Sequence, residues 1–243
     1  MCFSCRPLTR RSFFSGALTL PLWHGGRGGL VEPCLRVPGQ GVAVTLDACP
    51  GRFDERVASA LIECNIPATI FVTATWMRWN PEGLALLKSR PDLFALENHG
   101  ARHLPPILGD KPIYGLAPAG TLEAIRAEVL DGAAAITAAT GKAPRWYRGA
   151  AGIYSPETIP FIESLGFKIA GYSLNGDEGA SLPAATVAAR LGAAKDGDVT
   201  EGHINQPKRA SGAGIAAGLL ALHAAGTKFV RLDELPPTLD VSA

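Results

Sequence analysis

Residues that can move protons or hold a metal recur along this chain, and their spacing is the first thing to explain. His99-Gly100-Ala101-Arg102-His103 sets two imidazoles four residues apart. On one helical turn that spacing points both rings to the same side, as in zinc sites built on an i, i+4 pair. Asn98, just before them, is suited to orient one ring from behind. Asp47 closes the apolar run Val42-Ala43-Val44-Thr45-Leu46. A carboxylate there can take a proton from water, and a metal beside it would polarise a carbonyl and acidify that water. His203, in Glu201-Gly202-His203-Ile204-Asn205, is suited to give a proton to a leaving group near neutral pH. Arg148 precedes the small run Gly149-Ala150-Ala151-Gly152. It can fix the base's orientation while the run leaves backbone N–H groups open to a substrate oxyanion. The pieces add up to hydrolysis of an acyl or amide carbonyl.

Something must bring these residues together. Val42 to Leu46 reads as a strand buried on both faces, ending at Asp47, with Cys49-Pro50-Gly51 turning the chain away. Helical pattern follows over 54–64 with Asp54 as N-cap, then a strand over 68–72, a helix over 81–90 and a strand over 93–98. The proline- and glycine-rich connection 104–120 is too long for a routine link and reads as a functional loop or lid. An Ala-rich helix over 121–140 is stopped by Gly141, and a short strand ends at Arg148. Helices over 156–165, 183–194 and 214–225 then alternate with strands over 167–172, 199–203 and 229–232. Seven strand-then-helix units predict one α/β domain with a parallel sheet, curled into a barrel or left open. Catalytic side chains collect at the carboxyl ends of such sheets. The ends here carry Asp47, Thr73, His99, Arg148, Asn175 with Asp177, and His203, so convergence on one pocket is expected.

In this order the motifs resemble the polysaccharide deacetylase family, the NodB-homology carbohydrate esterases. Thr45-Leu46-Asp47-Ala48-Cys49-Pro50 matches Thr-Phe-Asp-Asp-Gly-Pro, and Asn98-His99-Gly100-Ala101-Arg102-His103 matches Asn-His-x-x-x-His in full. Arg148-Gly149-Ala150-Ala151-Gly152 matches Arg-x-Pro-x-Gly in part, and His203 falls on the last motif's strand-end histidine. The resemblance covers roughly residues 40 to 235. It implies a distorted (β/α)7 barrel over 38–236 that removes acetyl groups from sugar amides of a polysaccharide or oligosaccharide. It implies a divalent metal such as zinc on His99 and His103, Asp47 as base, His203 as acid and Arg148 tethering the base. Trp76, Trp79 and Trp146 are candidates for stacking on sugar rings, and Tyr147, Ala151 and Asn205 for contacting substrate. Two departures stand out. The family's third metal ligand, the second Asp of the first motif, is Ala48, and the Asp that engages the arginine is Asn175, with Asp177 or Glu178 as replacements. Extra waters, a Cys49 thiolate or a rotated Asp47 would each repair the site, and a weakened site completed by water is the expected one. If Asp47 turns to the metal, Asp177 is the next base. The alternatives are a metal-independent hydrolase of cyclic imides or ureides on the same barrel, and a sugar-binding relative without turnover.

Composition narrows the setting. The chain has 243 residues, 47% hydrophobic and 19% charged, ample for one full core. Residues 1–31 carry four arginines and no acid, which leaves 19 basic against 22 acidic residues in the body. A slightly acidic body without a Lys/Arg cluster argues against nucleic acid. Arg10-Arg11-Ser12-Phe13-Phe14 followed by a short apolar stretch resembles a twin-arginine export signal and is about half the length of a membrane span. The expectation is an exported, periplasmic protein without a stable membrane anchor. An oxidising compartment would permit a Cys34–Cys49 bridge, while Cys64 reads as a core residue.

Overall fold

The computed structural model describes residues 29–235; the arginine pair and the apolar stretch after it lie outside them. At the centre is β1 (Val42–Ala48), buried at all seven positions. It pairs in parallel with β2 (Ala68–Val72) on one side and β7 (Val199–Glu201) on the other, and also with β8 (Phe229–Val230). Beyond β2 lie β3 (Phe94–Asn98), β4 (Trp146–Tyr147) and β5 (Lys168–Ile169); beyond β7 lies β6 (Leu174–Asn175). The sheet therefore has eight strands rather than seven, the additional one being β6. Its two edge strands, β5 and β6, follow each other in the chain and are joined by residues 170–173 alone. At about 3.5 Å per residue such a link reaches only some 17 Å from Ile169 to Leu174, so the edges face each other. The result is a parallel half-barrel wrapped by helices, the distorted (β/α) barrel.

Register decides which side chains enter the barrel. Asp47, Phe71 and Glu97 are in line across β1, β2 and β3, as are Leu46, Ile70 and Leu96 one position earlier. With a two-residue period, the second set faces the helices. Val44, Leu46, Ala48, Ile70 and Val72 pack there in one buried cluster. Their partners are Val57 and Leu61 of α1 (Glu55–Glu63), Val187 and Leu191 of α6 (Ala184–Gly192), and Ile215 and Leu219 of α7 (Ser211–Ala224). Ala43, Phe71, Trp146, Ala170 and Val199 form a second cluster with Leu35, Val37 and Leu232. Val31 bridges Tyr154 and is buried, so the packed chain starts ahead of residue 38.

Local chemistry accounts for most boundaries. Asp54 caps α1 by accepting from the Arg56 N–H, and Thr121 caps α4 (Leu122–Thr140) through the Ala124 N–H, with Gly141 in the left-handed conformation at the far end. Thr73 starts α2 (Ala74–Trp79), a short helix absent from the sequence pattern, just before α3 (Pro81–Ser89). α5 spans Thr158–Ser164. The connection 104–120 holds neither helix nor strand and is closed by a Leu108–Gly120 bridge. Cys34 and Cys49 are not bridged to each other, and Cys64 packs half-buried against the main core. No helix among the described residues is long and apolar enough to cross a membrane.

Three candidate substrate contacts turn out to be structural. Trp146 is 1% exposed and donates its indole N–H to the Leu232 carbonyl. Tyr147 and Trp76 have no exposed surface, so none of the three offers a ring face to a sugar. Trp79 is exposed, at 63%.

Glu97 is 2% exposed and accepts the backbone N–H groups of Arg145 and Trp146 at 2.7 and 2.8 Å. Burial pushes its carboxyl up to about 7, with a contribution from Asp233, against those two N–H groups. Between the ordinary carboxyl value of 4.5 and about 7 the folded chain therefore binds the extra proton, and stability falls as pH rises through that window. Glu97→Gln removes the ionisation. It is expected to be more stable than the parent at about pH 8 by up to ~3 kcal/mol, and by less than ~1 kcal/mol at about pH 5. Urea unfolding at the two pH values checks this.

Candidate active site

The carboxyl ends of β1, β3, β4 and β7 bring the sequence-marked residues to one rim. Asp47 receives Arg148 Nη1 at 2.8 Å. The same guanidinium donates to Thr45 Oγ1 at 2.8 Å, to the Ala170 carbonyl at 3.2 Å and to the Gly171 carbonyl at 3.1 Å. It also lies over the Phe71 ring, 4.3 Å from its centroid. Burial opposes ionisation of Asp47, but Arg148, His99 and His203 outweigh it and hold the carboxyl below its ordinary range. The tether is thus formed by Arg148 as the motif order implied. Neither replacement acid engages it: Asp177 turns to His203, and Glu178 pairs with Arg190 at 2.7 Å.

His99 and His103 do meet, their ring centroids 4.9 Å apart, but not on a helical turn. Residues 99–103 are a loop in which Gly100 has φ 88° and His103 φ 71°. Asn98 shapes this loop rather than a ring, accepting from the Gly100 N–H and donating to the Val129 carbonyl. The His99 ring is oriented instead by the Arg148 carbonyl, 2.7 Å from Nδ1, which leaves Nε2 facing the cavity. The loop's main anchor was not read from the sequence. Glu128, 1% exposed on α4, accepts the backbone N–H groups of Arg102, His103 and Leu104 on one carboxylate oxygen at 2.7, 2.7 and 3.1 Å. Helix and loop approach so closely that a Cβ on Gly132 would sit 2.4 Å from Asn98 Oδ1.

Cys49 lies beside the pair, its Sγ 3.4 Å from His99 Nε2 and its side chain buried. Burial disfavours its thiolate, yet His103, His99 and His203 together drive the thiol well below its ordinary value. Glu201 ends β7, and His203 lies two residues beyond it and bridges Asp47. His203 Nδ1 is 2.9 Å from Asp177 Oδ1 and 3.3 Å from Glu201 Oε1, and Asp177 also accepts the His203 backbone N–H. Burial works against a charged His203, but Glu201, Cys49 and Asp177 raise it well above the ordinary imidazole value. Burial pushes Glu201 up to about 8, partly countered by His203. Asn205 is buried and donates to the Cys49 carbonyl at 2.9 Å, so it supports the β1 loop. Ala151 sits half-buried in a tight turn with φ 64°. The Gly149 N–H is taken by the Tyr154 hydroxyl, which removes it from the oxyanion role.

A family model for polysaccharide deacetylase matches residues 35–170, more than half the chain. The chain belongs to the polysaccharide deacetylase family. Several solved structures share the fold at low identity. The Bc1960 peptidoglycan N-acetylglucosamine deacetylase, in complex with 4-naphthalen-1-yl-N-oxidanyl-benzamide, is 19% identical, with 82% of this chain and 89% of that one covered and a TM-score of 0.67. The T48 deacetylase with substrate is 24% identical over 80% of this chain and 89% of that one, TM-score 0.61. BA3943 from Bacillus anthracis, a CE4 family pseudoenzyme, is 18% identical over 82% of this chain, which spans 66% of its length, TM-score 0.62. No curated protein matches the sequence.

Members of this family use a divalent metal, and the donors present fit one. Ligand atoms of Cys49, His99 and His103 lie within 4.8 Å of one another. His103 Nε2 is buried with no hydrogen-bond partner among the described residues, a state that a cation would satisfy. Asp47, Glu201 and His203 form a second group of the same size; Asp47 Oδ1 is engaged by Arg148 and His203 Nδ1 by Asp177, while Glu201 Oε2, like His103 Nε2, is buried with no hydrogen-bond partner among the described residues. Because Glu128 holds the His103 backbone, Glu128→Ala is expected to cost about 1–3 kcal/mol and to weaken zinc binding roughly 10–100-fold. Chemical denaturation and zinc titration of the variant check the two effects.

Proposed function

We propose that the protein is a hydrolase that removes acetyl groups from the sugar amides of a polysaccharide. The observation that carries this reading is the division of charge within one cluster. Asp47 is held ionised by Arg148, while His203 is held protonated by Glu201, Cys49 and Asp177, and their polar atoms belong to one group within 4.8 Å. Environments that push two titratable groups apart in this way assign a base and an acid. Asp47 Oδ2, the oxygen not engaged by Arg148 Nη1, takes the proton of the attacking water. His203, fixed through Nδ1 by Asp177, gives a proton from Nε2 to the departing sugar nitrogen. Asp177 is a positioning residue in this scheme. His99, His103 and the groups beside them would hold a divalent ion such as zinc, which supplies Lewis acidity toward the acyl oxygen. Trp79, exposed on the rim of α2, is the aromatic surface suited to a sugar ring.

Acetate release from an N-acetylglucosamine oligomer tests the reading. Asp47→Asn is expected to lower kcat by about 10²–10⁴ with the fold retained. Turnover of a cyclic imide without metal would favour the metal-independent alternative, and sugar binding without product the inactive one. Export is proposed on Arg10 and Arg11 alone: replacing both with Lys is expected to leave the protein in the cytoplasm, as judged by cell fractionation.

A further inference from the structure

We infer that Cys49 is a metal ligand of this chain, completing a Cys–His–His donor set in place of the carboxylate missing at Ala48. The inference rests on the deacetylase reading for its location and on the following geometry for its content. β1 alternates with period two, and Ala48 belongs to the layer facing the helices, buried among Leu46, Val72, Val57 and Ile215. Thr45 and Asp47 face the cavity, and Cys49 is the next residue of that set. A residue at 48 has its Cβ in the apolar layer; a residue at 49 has it in the site.

The sulfur is where a shared ion would need it. Two donors on one tetrahedral zinc, with bonds of about 2.3 Å to sulfur and about 2.05 Å to nitrogen, lie roughly 3.5 Å apart. Cys49 Sγ and His99 Nε2 are 3.4 Å apart. His103 brings the third donor within the same group, with Nε2 buried and unpartnered among the described residues. Each ligand is held from behind. Arg148 carbonyl fixes His99 through Nδ1, Glu128 fixes the His103 backbone, and Asn205 Nδ2 fixes the Cys49 carbonyl. Room for movement on the far side is small, since a Cβ on Gly51 would meet the Asn205 carbonyl at 2.5 Å. Exchanging a carboxylate for a thiolate also softens the site, which favours zinc and cobalt over magnesium or manganese.

Cobalt(II) titration of the purified full chain, freed of metal, tests this by absorption spectroscopy. The expected result is an intense near-ultraviolet sulfur-to-cobalt charge-transfer band together with tetrahedral visible bands, both displaced by zinc. Cys49→Ser should lose the charge-transfer band and bind cobalt more weakly by at least the roughly 10–100-fold that loss of an outer partner costs. Cys49→Asp should bind cobalt without the band, which keeps the test open if Cys49→Ser folds poorly by circular dichroism. Cobalt bound without a sulfur band in the parent, or a band that survives in Cys49→Ser, overturns the inference, as does no binding at all. Acetate release is read separately: a deacetylase with no sulfur band sinks the ligand and keeps the activity, and a sulfur band without acetate does the reverse.

Discussion

A guanidinium shut away from water needs acceptors for its N–H groups and a counter-charge close by, and Arg148 finds both inside the sheet. One nitrogen meets Asp47 on the central strand, another shares Thr45 and Gly171, and the third reaches Ala170. The last two carbonyls belong to the four-residue link between β5 and β6, where the sheet has no strand-to-strand hydrogen bonds of its own. Arg148 thus ties the central strand to the seam of the half-barrel. Removing one partner of such a buried pair typically costs about 3–5 kcal/mol, because the charge left behind stays buried. Asp47 is part of the wall, and its charge state and its orientation have the same cause.

Around that pair the rim sorts like groups into unlike states. Asp47 and Glu201 are both buried carboxylates in one cluster. The first has a guanidinium at 2.8 Å and stays ionised, while the second, without such a partner and close to two other acids, is pushed up to about 8. His203 is drawn to the charged form by the same neighbours. The unlike charge states are arranged by placement, with no unusual residue type required.

Most of this fold was legible in the sequence because strand and helix alternate with clear caps and a single apolar central strand. The elements that escaped detection are short: α2 has six residues and β6 two, too few for a period to register. The convergence of Asp47, His99, Arg148 and His203 could be read from strand ends alone, and His103 from its spacing after His99. Glu201 was overlooked: it precedes His203 by two, so alternation assigns both to the cavity face, and attention confined to the last residue of a strand passes over it. Cys49, weighed as one of three repairs and set behind water, follows Asp47 by two and belongs to the same face. Glu128 was invisible for another reason. A glutamate inside an Ala-rich helix looks like an exposed polar position, and only the packing of α4 on the 99–103 loop turns it inward. Trp146 and Tyr147 erred the other way, since a strand-end aromatic can close a barrel floor as readily as it can greet a ligand.

The double duty of Arg148 and Asp47 bears on how such barrels decay. A descendant freed from selection for turnover would still need that pair to keep its seam shut, so both letters would persist long after the chemistry had gone. His103 and Cys49 enjoy no such protection, because neither bridges strands. If the metal site were lost among this chain's own descendants, those are the positions at which the loss would first be written.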